Sequence, residues 1–286
     1  MHMIIVLLHI KKILNFTHMK KNFLTIIVVF LIHSCTEKDV INSPLLTSTQ
    51  ACQDHLTAEE IFNDIILIIQ KGLTDNSNNK SCPNFYLINN NTFDIDTLII
   101  NFGNSSPGCL YNGKIRSGEI IVFYTGKYLD SLSVITTNFE NYYTNNILVQ
   151  GEVIITNQGK NINNKTFFNV EISSTLSSEI GTIDWTSNIV RVWERGQNTI
   201  NTSDDQFNIT GSSSGNSVNG NDFQTIILDS QKIDLGCIPY CVIKSGTTKV
   251  RPSQYPERII EYGDSLCDCN VNVKIEGSNY PLIIDN

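Results

Sequence analysis

The chain is short of imidazole. It has five histidines in 286 residues, and four of them (His2, His9, His18 and His33) come before residue 35, so the remainder keeps only His55. Ser-His-Asp or Cys-His machinery would have to run through that single ring. A zinc site built from several imidazoles is excluded. Positive charge is scarce as well. Four of the 20 Lys and Arg and none of the 28 Asp and Glu lie in residues 1–34, leaving 16 cations against 28 anions, a net charge of −12. That balance argues against nucleic acid and against a basic patch on anionic membrane. Long apolar runs are missing too. The run at residues 23–32 is ten residues long, half of the about 20 that cross a bilayer as a helix.

What the chain does have begins at that run. Lys20 and Lys21 precede Phe23–Ile32, and the segment closes on His33-Ser34-Cys35. A charged start, a short apolar stretch and a small residue before the break form a secretory leader. With a cysteine at the break it resembles a bacterial lipoprotein signal, in which that cysteine carries the lipid. Residues 1–34 are therefore expected to be removed, with Met19 as the true start. Cys35 becomes the lipid anchor, and residues 35–56 serve as a flexible tether.

One helix is expected, over residues 57–72. Thr57 and Glu60 form a capping box, and Ile61, Phe62, Ile65, Ile66 and Ile69 recur at helical spacing. Lys71 and Gly72 supply a C-terminal stop. From Asn84 onward the period changes to two: Phe168, Val170 and Ile172 alternate with Asn169, Glu171 and Ser173. Thr97–Phe102, Glu119–Thr125 and Gln224–Leu228 are apolar on both sides, which reads as strands covered on both faces. Asn112-Gly113, Gln158-Gly159, Asn219-Gly220 and Glu276-Gly277 punctuate the strands as turns. The fold class is mainly β: an antiparallel meander forming a sandwich or a long curved sheet, residues 57–286, with the helix capping it. Covering an open end would protect it from edge pairing.

An internal echo is visible. Leu98-Ile99-Ile100-Asn101-Phe102-Gly103, with Cys109 after it, matches Arg258-Ile259-Ile260-Glu261-Tyr262-Gly263, with Cys267 after it. Each unit ends on an aromatic and a glycine able to take positive φ. With Gly113–Gly118, Gly151…Gly159 and Phe207–Gly211, these segments resemble a family of uncharacterised lipoproteins abundant in the Bacteroidetes. In that family aspartate stands where this chain has Asn101 and Glu261. The acidic start of the tether, Thr36–Asp39, resembles a surface-export signal of such lipoproteins. The resemblance covers nearly the whole mature chain and implies no established activity.

Seven cysteines remain after Cys35. The expected framework is Cys82–Cys109 with two bridges among Cys237, Cys241, Cys267 and Cys269, which leaves Cys52 over. Disulfides are favoured over a four-thiolate zinc site. The family-like positions are Cys237 and Cys267, leaving Cys241 with Cys269, whereas antiparallel register favours the crossed pairing. Residues 201–223, with Asp204, Asp205 and Asp222, read as polar hairpin tips rather than a calcium loop. Trp185 and Trp193 are the candidate ligand-contact aromatics, with Asp184 and Glu194 beside them as the carboxylate pair that glycoside hydrolysis would need. The expectation is a non-enzymatic protein, free of metal and cofactor, anchored at the outer membrane by Cys35. Its partners would be the membrane and an unknown protein or glycan ligand. A carbohydrate-binding or carbohydrate-cleaving accessory role is the alternative.

Overall fold

The structure, a computed structural model, describes residues 46–74, 82–88, 95–104, 108–199, 201–264 and 266–284. Cys35, the leader and the first part of the tether lie outside the described residues.

Helix α1 spans Gln50–Thr74, beginning seven residues before the expected Thr57. Its first turn rests on Thr49, whose carbonyl accepts from the amides of Cys52 and Gln53 at 2.9 and 3.0 Å. The Thr57–Glu60 capping box is therefore not a cap, and Glu60 points instead to Lys114. The tether is shorter than expected for the same reason. Leu46 and Ser48 already offer their carbonyls to the Arg258 guanidinium at 2.9 and 3.0 Å. The signal for the early start was there: Ala51, Cys52, His55 and Leu56 continue the buried stripe upstream.

The strands are β1 (Asn84–Ile88), β2 (Asp96–Asn101), β3 (Cys109–Tyr111), β4 (Lys114–Tyr124), β5 (Val134–Thr144), β6 (Ile147–Lys160) and β7 (Thr166–Ser178). They continue as β8 (Gly181–Arg195), β9 (Gln206–Asn216), β10 (Asp222–Asp234), β11 (Ile243–Pro252), β12 (Arg258–Glu261), β13 (Asn270–Ile275) and β14 (Ser278–Ile283). All 14 belong to one antiparallel meander, with β2 and the short β3 sharing one edge of β4. The sheet is not closed into a barrel. Of the two expected architectures, the long curved sheet is the one formed.

Its core is the helix. In α1, 19 of 25 residues are buried, more than one apolar stripe requires. A helix buried on all sides has protein on all sides. Phe62 stacks on Trp185 of β8 at 5.6 Å and meets Phe139 of β5 edge-on at 6.4 Å. Gly72 fits so closely against Phe85 of β1 and Leu98 of β2 that a Cβ there would lie 2.7 Å from Leu98. The helix therefore does not cap an open end, as the sequence suggested; the sheet curls round it. The sheet is also a single layer. Ile226 and Leu228, expected under double cover, are 46% and 50% exposed.

The internal echo is a real structural unit. Phe102 and Tyr262 follow the ends of β2 and β12, are buried, and bond through their amides to the carbonyls of Gly118 and Gly246. Gly103 and Gly263 then turn the chain at φ of 77° and 92°, in the left-handed region open to glycine.

Ile65 lies at the centre with no exposure. Ile65→Ala is expected to cost about 2–5 kcal/mol in urea unfolding. Ile226→Ala on the outer face is expected to stay within about 0.5 kcal/mol. Similar losses at both positions would remove the central role of α1.

Candidate functional site

The buried helix carries four carboxylates, and each has partners from distant parts of the chain. Asp54 accepts from the Ser217 hydroxyl and from the Val218 amide. Glu59 accepts from Gln231 at 2.7 Å and from the Tyr262 hydroxyl at 2.5 Å. Glu60 pairs with Lys114 at 3.0 Å, and Asp64 with Arg116 at 2.7 Å. Burial pushes the Glu60 carboxyl up, and Lys114 draws it back down. Burial alone would lower the Arg116 pKa, but Asp64 and then Tyr142 outweigh it and hold the guanidinium above its usual value. These pairings engage all four carboxylates, although Glu60 Oε2 and Arg116 Nη2 stay buried without a hydrogen-bond partner among the described residues.

A second cluster sits at the C-terminal end of α1. Asp205 accepts from Gln70 at 3.0 Å and from the Trp193 indole at 3.2 Å, and burial pushes its carboxyl up to about 6. The Arg191 guanidinium lies 3.7 Å from the Phe207 ring centroid. None of its three nitrogens has a hydrogen-bond partner among the described residues. Burial lowers its pKa, and Tyr128 and Asp205 oppose that.

The candidate site residues fall in different places. Trp185 and Trp193 are both buried, 3% and 5% exposed, so neither ring offers a stacking surface to a ligand. They alternate inward along β8 while Asp184 and Glu194 face outward. Those two acids lie ten residues apart on one strand, about 33 Å at the rise of an extended chain. Glycoside hydrolysis needs its pair within about 10 Å, so this pair is not one. His55 is sealed under Trp185 and Phe223. Its ring nitrogens lie 3.4 Å from the Ser213 hydroxyl and 3.7 Å from Glu59, and burial lowers its pKa. Serine, histidine and glutamate thus meet, but in a closed core and at distances too long for a relay.

The thiols pair as Cys82–Cys109, Cys237–Cys267 and Cys241–Cys269. The crossed pairing fails because these cysteines are not on a ladder. Cys237 ends a short 3₁₀ turn, Leu235–Cys237, and Cys267 and Cys269 precede β13. The two segments run in the same direction. Cys52 is unpaired and buried in the first turn of α1, next to the end of the tether. Burial pushes its thiol up to about 12, which leaves it unreactive.

The outer face holds what the sequence reading missed. A groove of about 580 Å³ crosses β7 to β10 and includes Asp184, Thr186, Ser214, Asn216, Asp222 and Gln224 in its lining. Thr175, Asp184, Asn216 and Asp222 stand on one rung of the sheet. Thr175 donates to Asp184 at 2.8 Å, and Asn216 to Asp222 at 2.9 Å. The two carboxylates therefore stand two strands apart, about 10 Å between backbones. The groove thus presents hydroxyl and amide donors together with two carboxylate acceptors. The alignment of β8 with β10, each paired to β9, depends on register, which could not be read from alternation alone.

Asp64→Ala leaves Arg116 buried without its carboxylate and is expected to cost about 3–5 kcal/mol. Replacing both partners by apolar residues, Asp64→Leu with Arg116→Met, should recover most of that loss in the same urea titration. A single-mutant loss below about 1 kcal/mol would contradict the buried-pair account.

Comparison with protein-family models, with curated proteins and with solved structures finds no match.

Proposed function

We propose that the protein is a lipid-anchored envelope protein, held at the outer membrane through Cys35, whose body binds, adheres or scaffolds rather than catalyses. The observation that carries this reading is the junction at residues 20–35, where two lysines, a ten-residue apolar run and a small residue end on a cysteine. The body supports it. Three disulfides suit an oxidising compartment. Among the described residues, no helix is long and apolar enough to cross a membrane.

A second reading, carbohydrate binding, is favoured by the outer groove. Its rung of Thr175, Asp184, Asn216 and Asp222 supplies donors and acceptors for a neutral polyhydroxylated ligand. The aromatic platform first expected for that role is inside, so binding here rests on hydrogen bonds.

In cells given labelled palmitate, the wild-type protein should take up label and fractionate with membranes. Cys35→Ala should stay unlabelled and either leave the membrane or keep its leader. Equal labelling and unchanged fractionation of that variant would refute the anchor.

A further inference from the structure

The C-terminal end of α1 holds a cavity that neither the anchor nor the outer groove uses. It has a volume of about 260 Å³ and is bounded by α1, the turn between β3 and β4, and the 3₁₀ turns at Thr202–Asp204 and Leu235–Cys237. That is just below the range of pockets for drug-sized ligands, so the occupant would be small. Leu67, Leu235, Ile238 and Tyr111 give it an apolar side, while Gln70, Lys71 and Ser203 give it polar atoms.

The charges at this end do not balance. The Lys71 ammonium lies 5.4 Å from the Tyr111 ring centroid, and no carboxylate among the described residues pairs with it. Gln70 joins the cavity to Asp205 at 3.0 Å. Behind that pair stands Arg191, fully buried and without a hydrogen-bond acceptor. Asp234, which caps the neighbouring turn, is already engaged by Lys244 and Gln206. The carboxylate that acts on Arg191 is Asp205, already bonded to Gln70 and the Trp193 indole, and Lys71 has no ion-pair partner among the described residues. A buried guanidinium without an anion is costly, and a negative ligand group nearby would relieve that cost.

We propose that this cavity is a binding site for a small amphiphilic carboxylate. The carboxylate lies against the Lys71 ammonium, within reach of the second amide hydrogen of Gln70 and of the Ser203 side of the cavity. Its short apolar tail lies against Leu67, Leu235 and Ile238. Arg191 adds field rather than contact. The site is separate from the outer groove, so either can be wrong without the other.

The test uses the full-length protein, with hexanoate and hexan-1-ol as probes. Titrations are followed by the fluorescence of Trp193, whose indole bonds to Asp205 beside the cavity. Hexanoate should give a saturable change. Hexan-1-ol should bind about ten-fold more weakly, and Lys71→Met should weaken hexanoate by about the same factor, as loss of one charge-assisted bond predicts. Ile238→Trp, which adds bulk to the lining from a partly exposed position, should reduce hexanoate binding. The proposal is overturned by no saturable change with hexanoate, by equal binding of hexan-1-ol, or by undiminished binding to both Lys71→Met and Ile238→Trp.

Discussion

Four carboxylates on a helix that has almost no exposed side set the terms for the rest of this molecule. An ionised carboxylate cannot be buried alone, so Asp54, Glu59, Glu60 and Asp64 each require partners, which come from strands β4 and β10, from the turn after β9 and from Tyr262 beyond β12. The match is metric as well as chemical. Glu60 and Asp64 are four residues apart on α1, about 6 Å along its axis. Lys114 and Arg116 are two residues apart on β4, about 6.7 Å along the strand. Helix and strand therefore run side by side at one register, with both ion pairs closed. A slip of one residue on β4 would turn both cations to solvent and leave both acids buried.

The architecture follows from that placement. A meander of long strands has one apolar face to cover, and a second sheet or a set of helices is the usual cover. Here a single helix fills the space, so the sheet must curl to reach it from Phe85 on β1 to Tyr262 beyond β12. The outer face is left to water, which explains why β7, β8 and β9 carry serine, threonine and asparagine on alternate positions. Disulfides hold the segments that the ladder does not, at the β1–β3 end and between β10 and β13.

Much of this was legible in the residues. Alternation along β7 identified its buried face, and the repeated aromatic-glycine units marked two equivalent turns. What escaped was long-range. Nothing local distinguishes a helix that caps a sheet from one that the sheet surrounds. The difference lay in Glu59, Glu60 and Asp64, whose partners are some 50 to 200 residues away, so that Glu60 read as half of a capping box. The same limit misplaced the tryptophans. Asp184 and Glu194 flank them in the sequence, yet parity puts the acids outside and the indoles in. The outer rung is a product of register across four strands and has no local signature.

The central claim is that α1 is the innermost element of the fold, and native-state hydrogen exchange tests it most directly. Amides of Ile61–Ile69 should exchange only through global unfolding, with protection equal to the most protected residues of β7 and β8. If the helix amides exchanged well before those strands, α1 would be a loosely held element, and the account of a sheet wound about its helix would be contradicted.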